Sequence, residues 1–465
     1  MDDSTMDPAA ATVVQHQHEH QQSNSNDNQE QPQQQQESLG SDPQQQQQQQ
    51  QLEEEEKEVV RQKPIPRDWI ERLLSLYPNP HTTYPHRNKA LVVAPMVDQS
   101  DLPFRLLCRR YGANLCFTPM IHARLFQVNR NYQRRFFNLI EGTPPEDRPL
   151  IAQLCGSQPV EFLVRTALQL QPHVDGIDLN CGCPQNIAKR GQYGSFLLEQ
   201  PDVLVHVAKT VSAALDIPLS VKVRLLPSGV DDSLALYQRL VDEGGVSLIT
   251  IHGRNRFQKG PLTGRADWDA IRRAVDLVGQ RIPIFANGNI ASLQDVQACL
   301  DHTKADGVMS SEAILEYPPL FQQQEEEGRR AVGRLELARQ YLELARKYPP
   351  NEGGQGSGLK CLKIHLHRFL HADLQDSPSF RNAIIDSTSA ADLLRALDDL
   401  EDLHRRVQHD PTQETLCWYV RHQRIVEHTT GKTAIQAKKE REGAVKCNEL
   451  VDDAADCMAG LFVEQ

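Results

Sequence analysis

The segment GIDLNCGCPQNIAKRGQYG, residues 176–194, joins a buried strand to a reactive turn. Gly176-Ile177-Asp178-Leu179-Asn180 reads as a strand, Gly182-Cys183-Pro184 as the turn that ends it, and Lys189-Arg190-Gly191 as a basic loop just beyond. A strand that stops at Cys183-Pro184 holds a thiol where the chain leaves the sheet. In a parallel α/β barrel that edge carries the chemistry.

Outward from this segment, short apolar runs alternate with helical patterns from Leu91 to Phe321. The expected strands are Leu91–Met96, Asn114–Met120, Leu150–Gly156, Gly176–Cys181, Leu219–Leu225, Ser247–Gly253, Pro283–Asn287 and Gly307–Met309. Several are continuously apolar, as parallel strands covered on both faces must be. Helices are expected between them at Leu102–Tyr111, Pro159–Leu170, Asp202–Leu215, Ser233–Glu243, Asp267–Val278 and Leu293–Leu300. Eight strands in this span predict a (β/α)8 TIM barrel. A doubly wound sheet would need a glycine fingerprint after an early strand. The glycine-rich run, Gly353–Gly358, instead follows a helix and Pro349-Pro350 and reads as a linker.

The formal charge of −12 belongs to one end of the chain. Residues 1–60 hold thirteen acidic residues and one basic residue, and the remainder holds 49 of each. With Gln44–Gln51 unbroken and few apolar residues, 1–62 is expected to be a disordered acidic tail. Its His16, His18 and His20 are weak candidates for a metal, and no metal site is expected. MDDSTMDPAA lacks the features of a secretory leader, and no run is long and apolar enough to span a bilayer. Ten cysteines without paired zinc spacing fit a reducing compartment, so a cytoplasmic or nuclear location, no membrane partner and a monomer are expected.

After the barrel (63–325) the pattern turns helical. Ala331–Tyr348, Leu359–Leu370 and Ala390–Val407 form an expected small all-helical domain, 326–430, followed by a polar tail, 431–465. Leu335, Ala338, Leu342 and Ala345 share one helix face, with Arg334, Arg339, Arg346 and Lys347 around the rest. Further basic residues recur at Lys360, Lys363, Arg368 and Arg381. They fit either a solvated surface or an RNA-binding one.

The strand ends can be read in turn. They carry Ala94-Pro95-Met96-Val97, Gln153-Leu154-Cys155-Gly156-Ser157, Asn180 with Cys183, and Lys222-Val223-Arg224. Next come His252-Gly253-Arg254 with Gln258, then Asn287-Gly288-Asn289-Ile290, then Ser310-Ser311-Glu312. Lys222 and Arg224, two apart on one side of a strand, are buried cations that need an anionic partner, either a barrel carboxylate or a bound anion. Asn287–Ile290 is expected to open a helix whose N–H groups suit a phosphate, with Ser310 or Ser311 donating beside it. Cys183 is a candidate general acid, since a thiol keeps its proton at neutral pH. Cys181 reads as packing, with a redox pair with Cys183 as the alternative.

In this order, A-P-M, Q-L-x-G-S, N-x-G-C-P, K-x-R, H-G-R and N-G-N resemble the tRNA-dihydrouridine synthases, over Leu91 to Phe321. The resemblance implies FMN, with NADPH or NADH as reductant, and tRNA as partner. Hydride passes to C6 of a uracil and Cys183 protonates C5. By the same resemblance Pro95, Met96, Val97, Gln153, Lys222 and His252 contact the flavin, and Asn287, Gly288, Asn289, Ser311 and Glu312 lie at its phosphate end. Asn180, Lys189, Arg190, Arg254 and Gln258 fall to the substrate. Two positions depart from the family pattern. Pro119 stands where a glutamate is usual, and Ser311-Glu312 where most members have Gly-Arg. The second resembles the eukaryotic branch acting on uridines 16 and 17 of the tRNA D-loop. A flavin barrel acting on a free pyrimidine and a non-catalytic RNA-binding barrel are the competing readings.

Overall fold

The computed structural model describes residues 65–82, 88–141, 143–322, 332–350, 357–411 and 414–422. The acidic tail with its histidines, residues 353–356 of the glycine run and the 431–465 tail lie outside the described residues.

Eight parallel strands close on themselves: β1 (Ala90–Val93), β2 (Leu115–Phe117), β3 (Leu150–Cys155), β4 (Gly176–Cys181), β5 (Leu219–Arg224), β6 (Leu248–His252), β7 (Ile284–Asn287) and β8 (Gly307–Ser310). Each pairs with the next, and β8 returns to β1 with Val92 opposite Met309. All eight expected strands are present. A two-residue strand, Ile121–His122, adds itself beside the end of β3. The expected helices are present as well, within three residues at each end.

Period two divides each strand between helix layer and barrel interior. Val92, Phe117, Ile151, Leu248, Phe285 and Met309 fill the lower interior. The helix Trp69–Leu76 covers that end with Trp69, Ile70 and Leu74. Trp69 Nε1 donates to Ser247 O just before β6 (2.9 Å), and Arg67 pairs with Asp306 just before β8 (2.7 Å). Sequence periodicity did not find this helix. Its apolar stripe is only two turns long and follows a Pro-rich entry, Pro64-Ile65-Pro66. Two further helices between β2 and β3, Ala123–Val128 and Arg130–Glu141, were also not foreseen.

The described residues of the helical part and of the barrel belong to one compact unit. Helix Arg334–Lys347 packs on Leu102–Arg110, with Tyr111 OH donating to Gln340 Oε1 (2.9 Å). Asp101 caps Leu102–Arg110 by accepting from Phe104 N (3.0 Å). Its second oxygen accepts from Tyr341 OH (2.8 Å) and Cys361 Sγ (2.9 Å) of the helical part.

Burial corrects the reading of the basic residues. Leu337 and Tyr341 join Ala338, Leu342 and Ala345 in the core. Arg334, expected outside, is 4% exposed and pairs with buried Glu316. Lys363 Nζ donates to Ile385 O (2.6 Å), Arg381 Nη1 to Leu374 O (3.3 Å) and Arg368 Nε to Gln99 Oε1 (3.1 Å). Three of those four recurring cations therefore hold the fold, while Lys360 is exposed.

Candidate active site at the carboxyl ends of the strands

Two residues beyond the apolar plug, the same strand faces turn polar. Ile151 is followed by Gln153, Leu248 by Thr250 and His252, Phe285 by Asn287. With Asp178, Ser220 and Lys222 they form a buried polar layer under the barrel mouth, and its bonds run in one direction. Ser220 Oγ donates to Asp178 Oδ1 (2.6 Å), and Gln153 Nε2 donates to Asp178 Oδ2 (2.8 Å). Asn180 Nδ2 donates to Gln153 Oε1 (2.8 Å). Asn180 Oδ1 then accepts from Cys183 N (3.1 Å) and Gly182 N (3.3 Å). An ionised carboxylate only accepts, so Asp178 sets which way both amides point. Asp178 was missed by the sequence reading. The signal was available: it lies two residues before Asn180 on the same strand face, an acid inside an apolar run.

Burial raises the Asp178 carboxyl to about 6, and Ser220, Gln153 and Lys222 oppose the rise. Lys222 Nζ donates to Asn287 Oδ1 (3.0 Å), and Asn287 Nδ2 to Met309 O (2.8 Å). Burial lowers the Lys222 ammonium to about 8, and nearby Arg224 lowers it further. Arg224 itself falls to about 10, through burial and then Arg254. Its Nε donates to Gly182 O (2.8 Å) and its Nη1 to Asn255 O (3.0 Å), so it ties the cysteine turn to the loop after β6.

Cys183 is half-buried beside Cys155, Ala188 and Tyr193. Burial raises its thiol above the ordinary value, against a backbone hydrogen bond at Gln185 and the pull of Arg224, Lys222 and Lys259. Its carbonyl accepts from Ser195 N (3.0 Å) and Ser195 Oγ (2.9 Å). Gly194 is required here: its φ is +64°, and a Cβ would stand 2.6 Å from Cys183 O. Cys181, two residues earlier, points into the helix layer and is fully buried. Lys189 and Arg190 are exposed on a short helix, Asn186–Arg190, where a loop was expected.

Burial, followed by Arg224, Lys222 and Arg254, holds His252 well below the usual imidazole range, so it is neutral. Arg254 Nη1 donates to His252 Nε2 (2.9 Å), which leaves the proton on Nδ1. Arg254 also binds Gly264 O through Nε (3.1 Å) and Nη2 (2.9 Å), and Nη2 donates to Asn289 Oδ1. Gln258 turns back to accept from Asn255 N (2.9 Å), shaping its own loop. Pro95 and Met96 are half-buried and Val97 is 49% exposed at the rim.

The phosphate end differs from expectation. Asn287–Ile290 does not open a helix. Gly288 (φ +110°) and Asn289 (φ +61°) are left-handed, and the helix begins later, at Leu293. Ser292 caps it by accepting from Asp295 N (3.1 Å), which meets one of the N–H groups of its first turn. Ser310 Oγ donates to Ile290 O (2.8 Å) and is spent on the fold. Ser311 caps the five-residue helix Glu312–Glu316 without a side-chain bond, and Glu312 is exposed.

Comparison with known proteins agrees with this arrangement. The profile described as Dihydrouridine synthase (Dus) matches residues 92–408. A tRNA-dihydrouridine(16/17) synthase (NAD(P)(+))-like protein of Mus musculus is 44% identical over 293 residues, 63% of this chain and 58% of that protein. This chain thus spans less than two thirds of that relative's length. The tRNA-dihydrouridine(16/17) synthase of Schizosaccharomyces pombe is 36% identical over 303 residues, 65% of this chain and 74% of that one. The tRNA-dihydrouridine(20a/20b) synthase of the same yeast is 34% identical over 235 residues, 50% and 69% of the two chains. With the profile covering most of the chain and the strand-end motifs converging on one barrel mouth, the chain belongs to the dihydrouridine synthase (Dus) family.

Proposed function

We propose that this protein reduces uridine to 5,6-dihydrouridine in the D-loop of tRNA, at positions 16 and 17, using FMN and NADPH or NADH. The observation that carries the reading is one half-buried thiol, Cys183, beside a cluster of cations that no carboxylate among the described residues neutralises by direct contact. Lys222, Arg224 and Arg254 make their bonds to neutral oxygens and to His252. Buried cations left so call for an anion.

A flavin phosphate and the pyrimidine edge of its ring fit that demand. Thr250 Oγ1 is buried within the polar layer and has no partner among the described residues. Gly288 keeps open a space in which a Cβ would approach Ala266, His252 and Arg254. Lys222, Gln153 and His252 would hold the ring's polar edge, with Pro95, Met96 and Val97 under it. Arg254, Asn287, Gly288, Asn289 and Ser311 would serve the phosphate end, near Glu312. When bound, the flavin supplies the hydride for C6 of the uracil.

The chain's own residues do the rest. Cys183 retains its proton at neutral pH because burial disfavours the thiolate, and delivers it from Sγ to C5. Asn180 fixes the height of the turn that carries Cys183, and Arg224 holds that turn from the other side. The target nucleotide must leave its stack to reach the layer. Lys189 and Arg190 stand exposed at the rim to meet the phosphates beside it, and the helical part adds contacts with the tRNA backbone. The 16/17 assignment rests on Glu312 and on higher identity to the 16/17 relatives than to the 20a/20b one. The eight described cysteines are free, in keeping with a cytoplasmic or nuclear home. Among the described residues no helix is long and apolar enough to cross a membrane.

The test is direct. Purified protein should be yellow with a flavin spectrum, and tRNA from cells lacking it should lose dihydrouridine at positions 16 and 17. Unchanged dihydrouridine at those positions, or equal activity on free uridine, refutes the reading.

A further inference from the structure

The loop after β6 carries a large apolar side chain out into solvent. Phe257 is 59% exposed, five residues beyond His252. A lone exposed ring is ordinary on a protein surface. This one is held in place. Phe257 N donates to Asn255 Oδ1 (2.9 Å), and Phe257 O accepts from Lys259 N (3.1 Å). Asn255 N donates to Gln258 Oε1 (2.9 Å), and Asn255 O accepts from Arg224 Nη1 (3.0 Å). Arg224 Nε donates in turn to Gly182 O (2.8 Å). One guanidinium therefore spans from the loop of the exposed ring to the turn that carries Cys183.

Side chains make a second link to the same turn. The Arg256 guanidinium lies over the Phe257 ring, 4.9 Å from its centre, and over the Phe196 ring, 5.0 Å from its centre. Phe196 belongs to the short helix Gly194–Glu199 and packs against the cluster of Cys183, Cys155, Ala188 and Tyr193. Glu199, at the end of that helix, pairs with Arg256. The charge of Arg256 is thus met by Glu199, and its guanidinium backs one face of the Phe257 ring. The exposure of Phe257 leaves the other face open beside the barrel mouth. Such a face suits a nucleobase, because every base has a π-face and unpaired bases stack on aromatic side chains. The uracil to be reduced must descend to the polar layer. The base that meets Phe257 at the rim is therefore one of its neighbours in the strand.

We propose that Phe257 is a substrate-binding residue, the stacking platform for the base next to the uridine that is reduced. The proposal rests on the tRNA reading above. Stacking of one base on an aromatic side chain carries roughly 5- to 150-fold in affinity.

The experiment measures tRNA affinity of the full chain by filter binding for wild type, Phe257→Ala and Phe257→Tyr. Each is tested on intact tRNA and on tRNAs made abasic on either side of the reduced uridine. We expect Phe257→Ala to weaken intact tRNA by a factor in that range and Phe257→Tyr to bind as wild type does. The salt dependence should keep its slope, because no phosphate contact is lost. One of the two abasic tRNAs should cost the wild type the same factor and cost Phe257→Ala nothing further. Wild-type affinity in Phe257→Ala overturns the proposal. So does a loss in Phe257→Tyr as large as in Phe257→Ala, which marks loop packing, or a wild type indifferent to both abasic changes. Abasic losses that multiply with that of Phe257→Ala on both sides overturn it too. Those results leave the tRNA reading standing. A wild type that neither binds nor reduces tRNA removes both.

Discussion

Replacing Cys183 by Ala, with Cys181→Ala beside it, separates chemistry from packing. Cys183 is half-buried at the mouth and its thiol is held protonated, whereas Cys181 is fully buried between strand and helix layer. Deleting a buried sulfur leaves a small void, costing about 1–2 kcal/mol by analogy with methyl-sized deletions. Cys181→Ala should therefore lower the melting temperature by a few degrees and leave the rate alone. Cys183→Ala removes a sulfur that already meets the open mouth, so its stability should change by under ~1 kcal/mol. Losing a general acid, in contrast, lowers the rate on the order of 10²–10⁴-fold, or roughly 3–5 kcal/mol of barrier. The assay is single-turnover reoxidation of the reduced flavin by tRNA, with NADPH-driven reduction of the flavin measured separately. Flavin content and its reduction should be retained in Cys183→Ala. A Cys183→Ala enzyme that reduces tRNA at the wild-type rate refutes the assignment. If Cys181→Ala loses the rate instead, the donor is the other cysteine.

Asp178 gives a pH test. Burial raises its folded-state pKa to about 6 against an ordinary 3.8, so its contribution to stability is full below the ordinary value and lost as pH rises through about 6. Urea midpoints of Asp178→Asn and wild type should diverge between about pH 4 and 6 in favour of the variant, by up to about 3 kcal/mol, and stay apart above that; parallel curves remove the claim. Lys189→Ala and Arg190→Ala should weaken tRNA binding similarly for all tRNA sequences and each flatten the salt dependence by about one unit of slope, measured by filter binding. Deleting residues 1–60 should leave flavin content and tRNA reduction within a few-fold of the full chain, because that segment holds the net negative charge and none of the motifs. Residues 63–325 alone should be poorly soluble, since the cut strips the cover from Asp101 and Glu316 and strands two buried carboxylates; a cooperative melt from that fragment would contradict this.

The barrel and most of its site residues were legible because both rest on local order. Continuous apolar runs of strand length, separated by helical periodicity, leave little choice but parallel strands covered on both sides. Each run ends where the chain exits the sheet, so Gln153, Asn180, Cys183, Lys222, His252 and Asn287 could be placed at one mouth without knowing any distance. Cys183 was set apart from Cys181 by the turn residues Gly182 and Pro184 around it and by its place at the strand end. What depended on partners distant in sequence was not legible. Arg334 looked like a solvated helix cation until Glu316, Glu414 and Thr415 O were seen to enclose it. Ser310 looked like a free donor until Ile290 O was seen to accept from it, and Asn287–Ile290 looked like a helix start until Ser292 and Asp295 were seen to cap the helix that follows. A side chain's type declares what it can donate, accept or bury. Which partner it meets is decided by closure of the barrel and by the path of the chain after it, which bring Glu316 to Arg334 and the turn Tyr419–His422 against Gly260–Leu262.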